Sequence, residues 1–407
     1  MSDSQQNRIV YITDTPFQDR DFLRFGVDKL RELDKLIEVW DLSLLIHGKK
    51  KTPKIDRSSG VIIFRSYKVL KLLLSNLRET DLILGLGVYS NLYSFKHLKV
   101  VRIVNKSKAK ICTIATSSQP IPEISSNKKS HRQLVHKICT LVKQPQLFSN
   151  FVFRKLLIVL NTKPALLKPI ISFRPLEACW ICVRHDEIPS FLIGKESRVY
   201  YIHALDYDHI LRANFSASNL VKHSRRIVFL DSMGPSHPDY STGNYPGVQS
   251  LQSYRDSINT FLQRLETETA DSVTIALHPK ADIANSQELY GNREMIQNET
   301  CALVKMADFI VAAEASTSVG FAVFYRKPIF FLDSDKFESR IRNLSTEMST
   351  LLGMPLVHIN ESIDFSKIPS IDELKYKEYI AKYLKKPDTP EELFWDVVST
   401  TIKADLS

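Results

Sequence analysis

Residues 271–334 read DSVTIALHPKADIANSQELYGNREMIQNETCALVKMADFIVAAEASTSVGFAVFYRKPIFFLDS. Two short apolar runs, Val273–Leu277 and Phe309–Ala313, each stop abruptly at a polar cluster. His278-Pro279-Lys280 follows the first, and Ser316-Thr317-Ser318 with Gly320 follows the second. A short apolar run bounded by turn chemistry reads as a buried parallel strand. In open α/β sheets, ligands collect outside the carboxyl ends of such strands. Val319–Tyr325 reads as a helix, which puts the hydroxyl cluster at its start, where free N–H groups and the helix dipole attract anions. An imidazole and a cation after one strand, facing a hydroxyl-rich helix start after another, suit a nucleotide phosphate. Each cluster alone has an ordinary explanation, since proline ends strands and Ser or Thr caps helices. Their separation by one β-α-β-like unit is what joins them.

Working outward, the chain keeps alternating strand and helix signals. Arg8–Thr13 (RIVYIT), the polar loop Asp14–Asp21 and an amphipathic stretch from Phe22 to Leu36 read as strand, loop and helix. Further strands are expected within 36–46 and 61–64, at Asp81–Gly87, Lys110–Thr116, Lys155–Leu160, Ala178–Val183 and Arg198–Ile202, with a helix over Val69–Leu77. Ser216–His223 reads as the connection between two halves. Arg226–Leu230 opens the second half, residues 250–267 read as a helix, and Lys327-Pro328 turns the chain into the run Ile329–Leu332. Thr389-Pro390-Glu391-Glu392 has the form of a capping box with proline at the first helical position, predicting a last helix over Pro390–Ala404. Gly85-Leu86-Gly87 lacks the third glycine and the acidic partner of a dinucleotide fingerprint. The expected divisions are 1–222, 223–388 and 389–407.

Composition bounds the function. The 407 residues, 43% apolar and 25% charged, suit a globular protein of two or three domains. No run of 18 apolar residues suggests a membrane span, and MSDSQQNRIVYIT lacks the apolar core of a signal peptide. The expectation is a cytoplasmic protein. Cys179-Trp-Ile-Cys182 has CxxC spacing without a second pair or nearby His, so it reads as a buried strand with reduced thiols. The net charge of +10 is unevenly spread: between Leu82 and Leu176 sixteen Lys and Arg face one acid, Glu123. Such asymmetry implies an anionic partner. Without a nucleic-acid fold signature, residues 96–174 are assigned to an anionic membrane surface rather than nucleic acid, against the plainer reading of a solvated basic face.

Asp231 is the carboxylate singled out by position, at the carboxyl end of the second half's first strand. It is either catalytic or a turn aspartate capping the Ser232–Gly234 backbone. His237, in a second His-Pro within the loop Ser232–Gly247, is expected to line the cleft and touch substrate, or else simply to pack in its loop. Asp19, Arg20 and Arg24 follow the first strand and suit an acceptor or a sugar carboxylate, since Arg forks match carboxylates. His185, Asp186 and Glu187 sit at another expected strand end, with Glu187 taken as the base for an acceptor hydroxyl.

The run 271–334 resembles the donor-binding half of GT-B glycosyltransferases that use CMP-activated acidic sugars, with their His-Pro and Ser-Ser/Thr motifs. TPFQDRDFLRFGVDKL at 15–30, YYIHALDYDHILRA at 200–213 and RRIVFLDSMGPSHPDY at 225–240 are closer to retaining β-Kdo transferases of surface-polysaccharide synthesis. The resemblance implies an α/β, GT-B fold: two Rossmann-like domains facing a central cleft, with a C-terminal helix crossing back to the first. It implies CMP-Kdo or a similar donor, a lipid-linked oligosaccharide acceptor and no metal or other cofactor. Asp231 takes the nucleophile's place in a double displacement, while His278, Pro279, Lys280, Ser316, Thr317 and Ser318 hold the donor phosphate. Such an enzyme works peripherally at the inner face of the plasma membrane. Three alternatives stay open: an inverting CMP-nonulosonate transferase, a CDP-polyol phosphotransferase and a non-catalytic glycan-binding subunit.

Overall fold

The computed structural model describes residues 6–48, 60–86, 88–89, 95–116, 174–182, 192–215, 226–234, 251–314, 316–337, 339–365 and 367–405. The described residues up to His203 form one unit together with the C-terminal segment Thr389–Ser407, and Ala204–Asp388 form the other. Each unit is a wholly parallel sheet, so the α/β class, with two Rossmann-like sheets and a final helix returned to the first, is the class observed.

In the first unit β1 (Arg8–Thr13), β2 (Leu36–Asp41), β3 (Val61–Ile63), β4 (Leu82–Leu86), β5 (Lys110–Ala115), β6 (Ala178–Cys182) and β7 (Arg198–Ile202) stand in the order β3-β2-β1-β4-β5-β6-β7. The central strands are apolar on both faces: Ile9, Val10, Tyr11, Ile12, Ile83 and Leu84 are wholly buried. That is the signature of a parallel sheet covered by helices on each side. The order reverses between β1 and β4. Helix α4 (Tyr67–Ser75) buries Leu70 and Leu74, and α5 (Phe95–Val104) packs beside it in the same core.

Three local expectations in this unit are corrected. Phe22–Leu36 is not one helix but α1 (Asp19–Arg24) and α2 (Val27–Leu30), and Leu36 already begins β2. The break is Gly26, left-handed at φ +63°, where a Cβ would lie 2.1 Å from the Trp395 ring. The strand expected to run towards Ile46 stops at Asp41 and turns into α3 (Ser43–His47), because the Asp41 carboxylate accepts the N–H groups of Ser43 (2.8 Å) and Phe17 (3.2 Å). The last helix is Phe394–Asp405, starting four residues later than the capping-box pattern predicts. Its anchors are tertiary: Trp395 Nε1 donates to the Arg24 carbonyl at 3.0 Å and Tyr200 OH to Asp405 Oδ2 at 2.7 Å.

In the second unit β8 (Ile227–Leu230), β9 (Val273–Leu277), β10 (Met295–Gln297), β11 (Phe309–Ala312), β12 (Ile329–Asp333) and β13 (Leu356–His358) take the order β10-β9-β8-β11-β12-β13. Short edge strands β10 and β13 have no counterpart in the sequence reading, and the helix expected over 250–267 runs Leu251–Thr269. Helix Tyr207–Phe215, which a boundary at 222 groups with the first half, packs in this unit. Tyr207 meets Phe324 edge-on at 5.7 Å, and Lys305 Nζ donates to the Ala213 carbonyl at 2.9 Å. Here the order reverses between β8 and β11, the place where open α/β sheets bind ligands. Strand Lys155–Leu160 and the connection Ser216–His223 lie outside the described residues.

Two predictions follow from packing. Gly26→Ala combines left-handed strain with a clash into an aromatic ring. It is expected to cost about 2–4 kcal/mol in urea unfolding. His97, in α5, is fully buried and donates from Nε2 to the Val88 carbonyl at 2.7 Å. Burial, opposed by that hydrogen bond, pushes its ring from 6.5 down to about 4. Because the folded value lies below the unfolded one, this contribution is intact above pH 6.5 and is lost as pH falls towards 4. The loss is about 3 kcal/mol over that window, and His97→Gln should flatten that part of a stability–pH curve.

Candidate functional site

The reversal in the second sheet brings the ends of β9, β8 and β11 side by side: Leu230 is in register with Ala276 on one flank and Ala312 on the other. Asp231 is the first residue past β8, its N–H still bonded to the Ala276 carbonyl at 3.1 Å. Its carboxylate is buried, with 6% of the residue exposed, and held by three donors. Oδ1 accepts from Tyr290 OH at 2.7 Å and from the Met233 N–H at 2.8 Å, and Oδ2 accepts from the His278 N–H at 3.1 Å. The capping role read from the sequence is therefore real, but it is one bond of three. Asp231 also ties the His-Pro turn and helix Ile283–Tyr290 to the end of β8.

Around it lies a set of groups that sequence reasoning missed. Tyr290 is wholly buried, and burial with the charge of Asp231 pushes its phenol far up, keeping it a donor. Tyr254 is wholly buried too, and its hydroxyl is also pushed up, by burial first and then by Asp231 and Glu314, against a smaller opposing pull from the Ser232 hydroxyl. Tyr254 OH and Ser232 Oγ are both buried and face one another, with no other side-chain partner among the described residues. The backbone here is unusual: Met233 is left-handed at φ +63° and Gly234 at φ +45°, where a Cβ would lie 2.6 Å from the Tyr254 ring. A non-glycine residue held left-handed costs about 1–2 kcal/mol, a kind of strain that concentrates at functional sites. Only Gly234 carried a sequence signal. The tyrosines lie inside helices, with nothing local to mark them.

His278 is fixed by its own turn. Its Nδ1 accepts the Lys280 N–H at 3.1 Å, which leaves the proton of the neutral ring on Nε2. The carbonyls of His278 and Pro279 accept from Gln297 Nε2 at 3.2 and 3.4 Å, bracing the turn against β10.

The helix start after β11 differs from expectation. Helix Val319–Phe324 is only six residues long. Its first N–H groups turn back tightly: Val319 to the Ser316 carbonyl (3.1 Å), Gly320 to Thr317 (3.0 Å) and Phe321 to Ser318 (3.1 Å). The donors expected at the helix start are thus occupied, and a six-residue helix carries little dipole. What this turn offers an anion is its hydroxyls, with Ser316 Oγ and Ser318 Oγ bonded to one another.

In the first unit Asp19 is exposed, while Arg20 is half-buried and engaged locally, with Nε bonded to Gln18 Oε1 at 3.1 Å and 3.6 Å from Asp21 Oδ1. Arg24 is exposed, with its guanidinium over the Phe25 ring. These three sit together on α1. Glu187, His185, Asp186 and His237 lie outside the described residues. Cys179 lies in β6 as expected, buried, its thiol pushed up to about 12 by burial. Among the described residues no group of three or more His, Cys, Asp or Glu could hold a metal ion, and no helix is long and apolar enough to cross a membrane.

No family model and no curated protein matches the chain. It is similar in structure to several solved glycosyltransferases. The calicheamicin glycosyltransferase matches at 8% identity with a TM-score of 0.43, over 98% of this chain and 99% of that one. The glycosyltransferase SnogD of Streptomyces nogalater matches at 11% identity and 0.43, over 99% and 100%. MurG of Acinetobacter baumannii matches at 10% identity and 0.41, over 98% and 99%.

The Asp231 network predicts unequal responses from two neighbouring tyrosines. Tyr290→Phe removes a bond to a charged group and should cost about 1.5–3 kcal/mol in urea unfolding. Tyr254→Phe removes a hydroxyl that faces only the neutral Ser232 hydroxyl, and should cost less, about 0.5–1.5 kcal/mol. Equal losses in the two variants would show that the charge on Asp231 adds nothing to the Tyr290 bond.

Proposed function

We propose that this chain is a glycosyltransferase that moves Kdo, or a related acidic sugar, from its CMP donor to a lipid-linked glycan at the inner face of the plasma membrane. The observation that carries the reading is the Asp231 carboxylate, held by three donors at the point where the second sheet reverses. Three donors fix its orientation, as in-line attack requires, because misplacement by about 1 Å costs on the order of 10²-fold in rate. They also stabilise the carboxylate each time it leaves.

In the first step an Asp231 oxygen attacks the anomeric carbon, and the bond to the phosphate of CMP breaks with its electron pair. A sugar–enzyme ester results. In the second step an acceptor hydroxyl attacks the same carbon, its proton passes to a base, and the ester bond breaks to restore Asp231. Two inversions retain configuration. The charge on departing CMP is met by His278, Lys280 and the hydroxyls of Ser316, Thr317 and Ser318, one such donor being worth about 2.7–4 kcal/mol. Glu187 is the base this reading assigns, and Asp19, Arg20 and Arg24 its acceptor-side groups. No metal has a role in it.

Asp231→Asn should abolish turnover of CMP-Kdo while retaining CMP binding, because the near-isosteric amide cannot form the ester. Asp231→Cys should accumulate a sugar adduct visible by intact mass and mapped to position 231. NMR of the product should give the retained anomer. CMP at about 100 times its Kd should stabilise the fold by about 2.7 kcal/mol, more than UDP does. More than a few per cent of turnover in Asp231→Asn would remove Asp231 as nucleophile. An inverted product would leave an inverting transferase in its place, and equal stabilisation by UDP would remove the cytidine donor.

A further inference from the structure

Away from this site, the first unit carries a groove of about 740 Å³ between α4 and α5. Its floor is apolar, formed by Leu74, Leu98 and Ile103. Its rim is cationic: Lys71 from α4, Lys99 and Arg102 from α5, and Lys106 and Lys108 from the turn that follows. All five are exposed, and Lys68 and Lys96 stand on the same two helices. Neither 67–75 nor 95–110 contains an Asp or Glu, and among the described residues none of the five rim cations forms an ion pair. Like charges gathered without counter-charges repel one another, so the arrangement costs stability unless an anion meets it.

The charge is joined by exposed apolar surface. Val69 and Leu72, one turn apart on α4, are 48% and 62% exposed, while Leu70 and Leu74 on the same helix are buried in the core. Lys68 and Lys71 repeat the same spacing beside them. Apolar side chains flanked by lysines that can snorkel are what a helix lying in a bilayer interface presents. A nucleic-acid surface would instead offer exposed rings for base stacking. Here Tyr67, the aromatic residue of α4, is covered by Lys99 Nζ, 4.3 Å from its centroid.

We infer that the α4–α5 face docks on a bilayer of anionic phospholipid, with a lipid phosphate against the cations of the groove and Leu72 and Val69 entering the headgroup layer. This deepens the membrane placement in the proposed function and gives it an address, partly outside 96–174. Docking is measured without turnover, so failure here leaves sugar transfer standing, and failure of sugar transfer leaves docking standing.

The test is co-sedimentation of the full chain with vesicles of phosphatidylcholine, alone or with 30% phosphatidylglycerol. Wild type should bind the anionic vesicles and not the neutral ones, and should be released towards 1 M salt, where the Debye length falls to about 3 Å. A cation near such a surface contributes roughly a fivefold factor, so K99E/R102E should weaken binding by about 25-fold or more. L72D should weaken it even at low salt. The control K377E/K382E, on the second unit, should bind as wild type does, and circular dichroism should show all variants folded. Equal binding to neutral vesicles, no binding by wild type, or a K99E/R102E variant indistinguishable from the control would overturn the inference. So would a single-stranded oligonucleotide that binds the lipid-free protein with the same dependence on Lys99, Arg102 and Leu72, which would make the face a nucleic-acid surface.

Discussion

A sheet whose strands all run parallel must be covered by helices on both faces, which leaves its strand ends as the place for polar chemistry. Both units obey this constraint, and the second shows its consequence. Ile227–Leu230, Val273–Leu277 and Phe309–Ala312 are almost wholly buried. Within three residues of their ends come Asp231, His278 and Glu314. The same hydrophobic demand that builds the strands drives the polar groups to one edge, beside the reversal of strand order.

Asp231 shows how a buried charge is made tolerable there. A carboxylate taken out of water costs several kcal/mol unless hydrogen bonds replace those it loses. Two backbone N–H groups and one phenol replace them, from three different segments. Removing the carboxylate therefore disturbs the turn after β8, the His-Pro turn and the end of helix Ile283–Tyr290 together. Under the proposed function stability and chemistry are coupled at this residue, which is why product configuration and adduct mass bear on its role more directly than loss of activity does.

The parts of this architecture legible in the sequence are those set by local patterning. Arg8–Thr13, Arg198–Ile202 and Val273–Leu277 are strands at the expected residues because each is a β-rich run closed by a polar turn. What was not legible depends on partners distant along the chain. Gly26 breaks a helix because Trp395 occupies the space its Cβ would fill. The last helix starts at Phe394 and is anchored on the first unit through Trp395 and Asp405, overriding the capping signal at Thr389. Tyr290 matters through a bond to a residue 59 positions earlier. Strands β10 and β13, three residues each, are too short to show a period.

The hydroxyl cluster at Ser316–Ser318 marks the boundary between these two kinds of information. Its residue types indicate a turn after a strand, and the turn is there. Whether that turn presents backbone N–H groups depends on how tightly the next helix winds, which the sequence does not encode in any single position. A tight first turn uses the N–H groups of Val319, Gly320 and Phe321 internally, which leaves side chains as the donors this strand end can offer an anion. Hydroxyls, unlike backbone donors, can rotate to accept as well as donate. In the proposed function a turn lined this way is less committed to phosphate than a helix N-terminus would be, and selectivity for a charged donor rests more on the imidazole and lysine after β9.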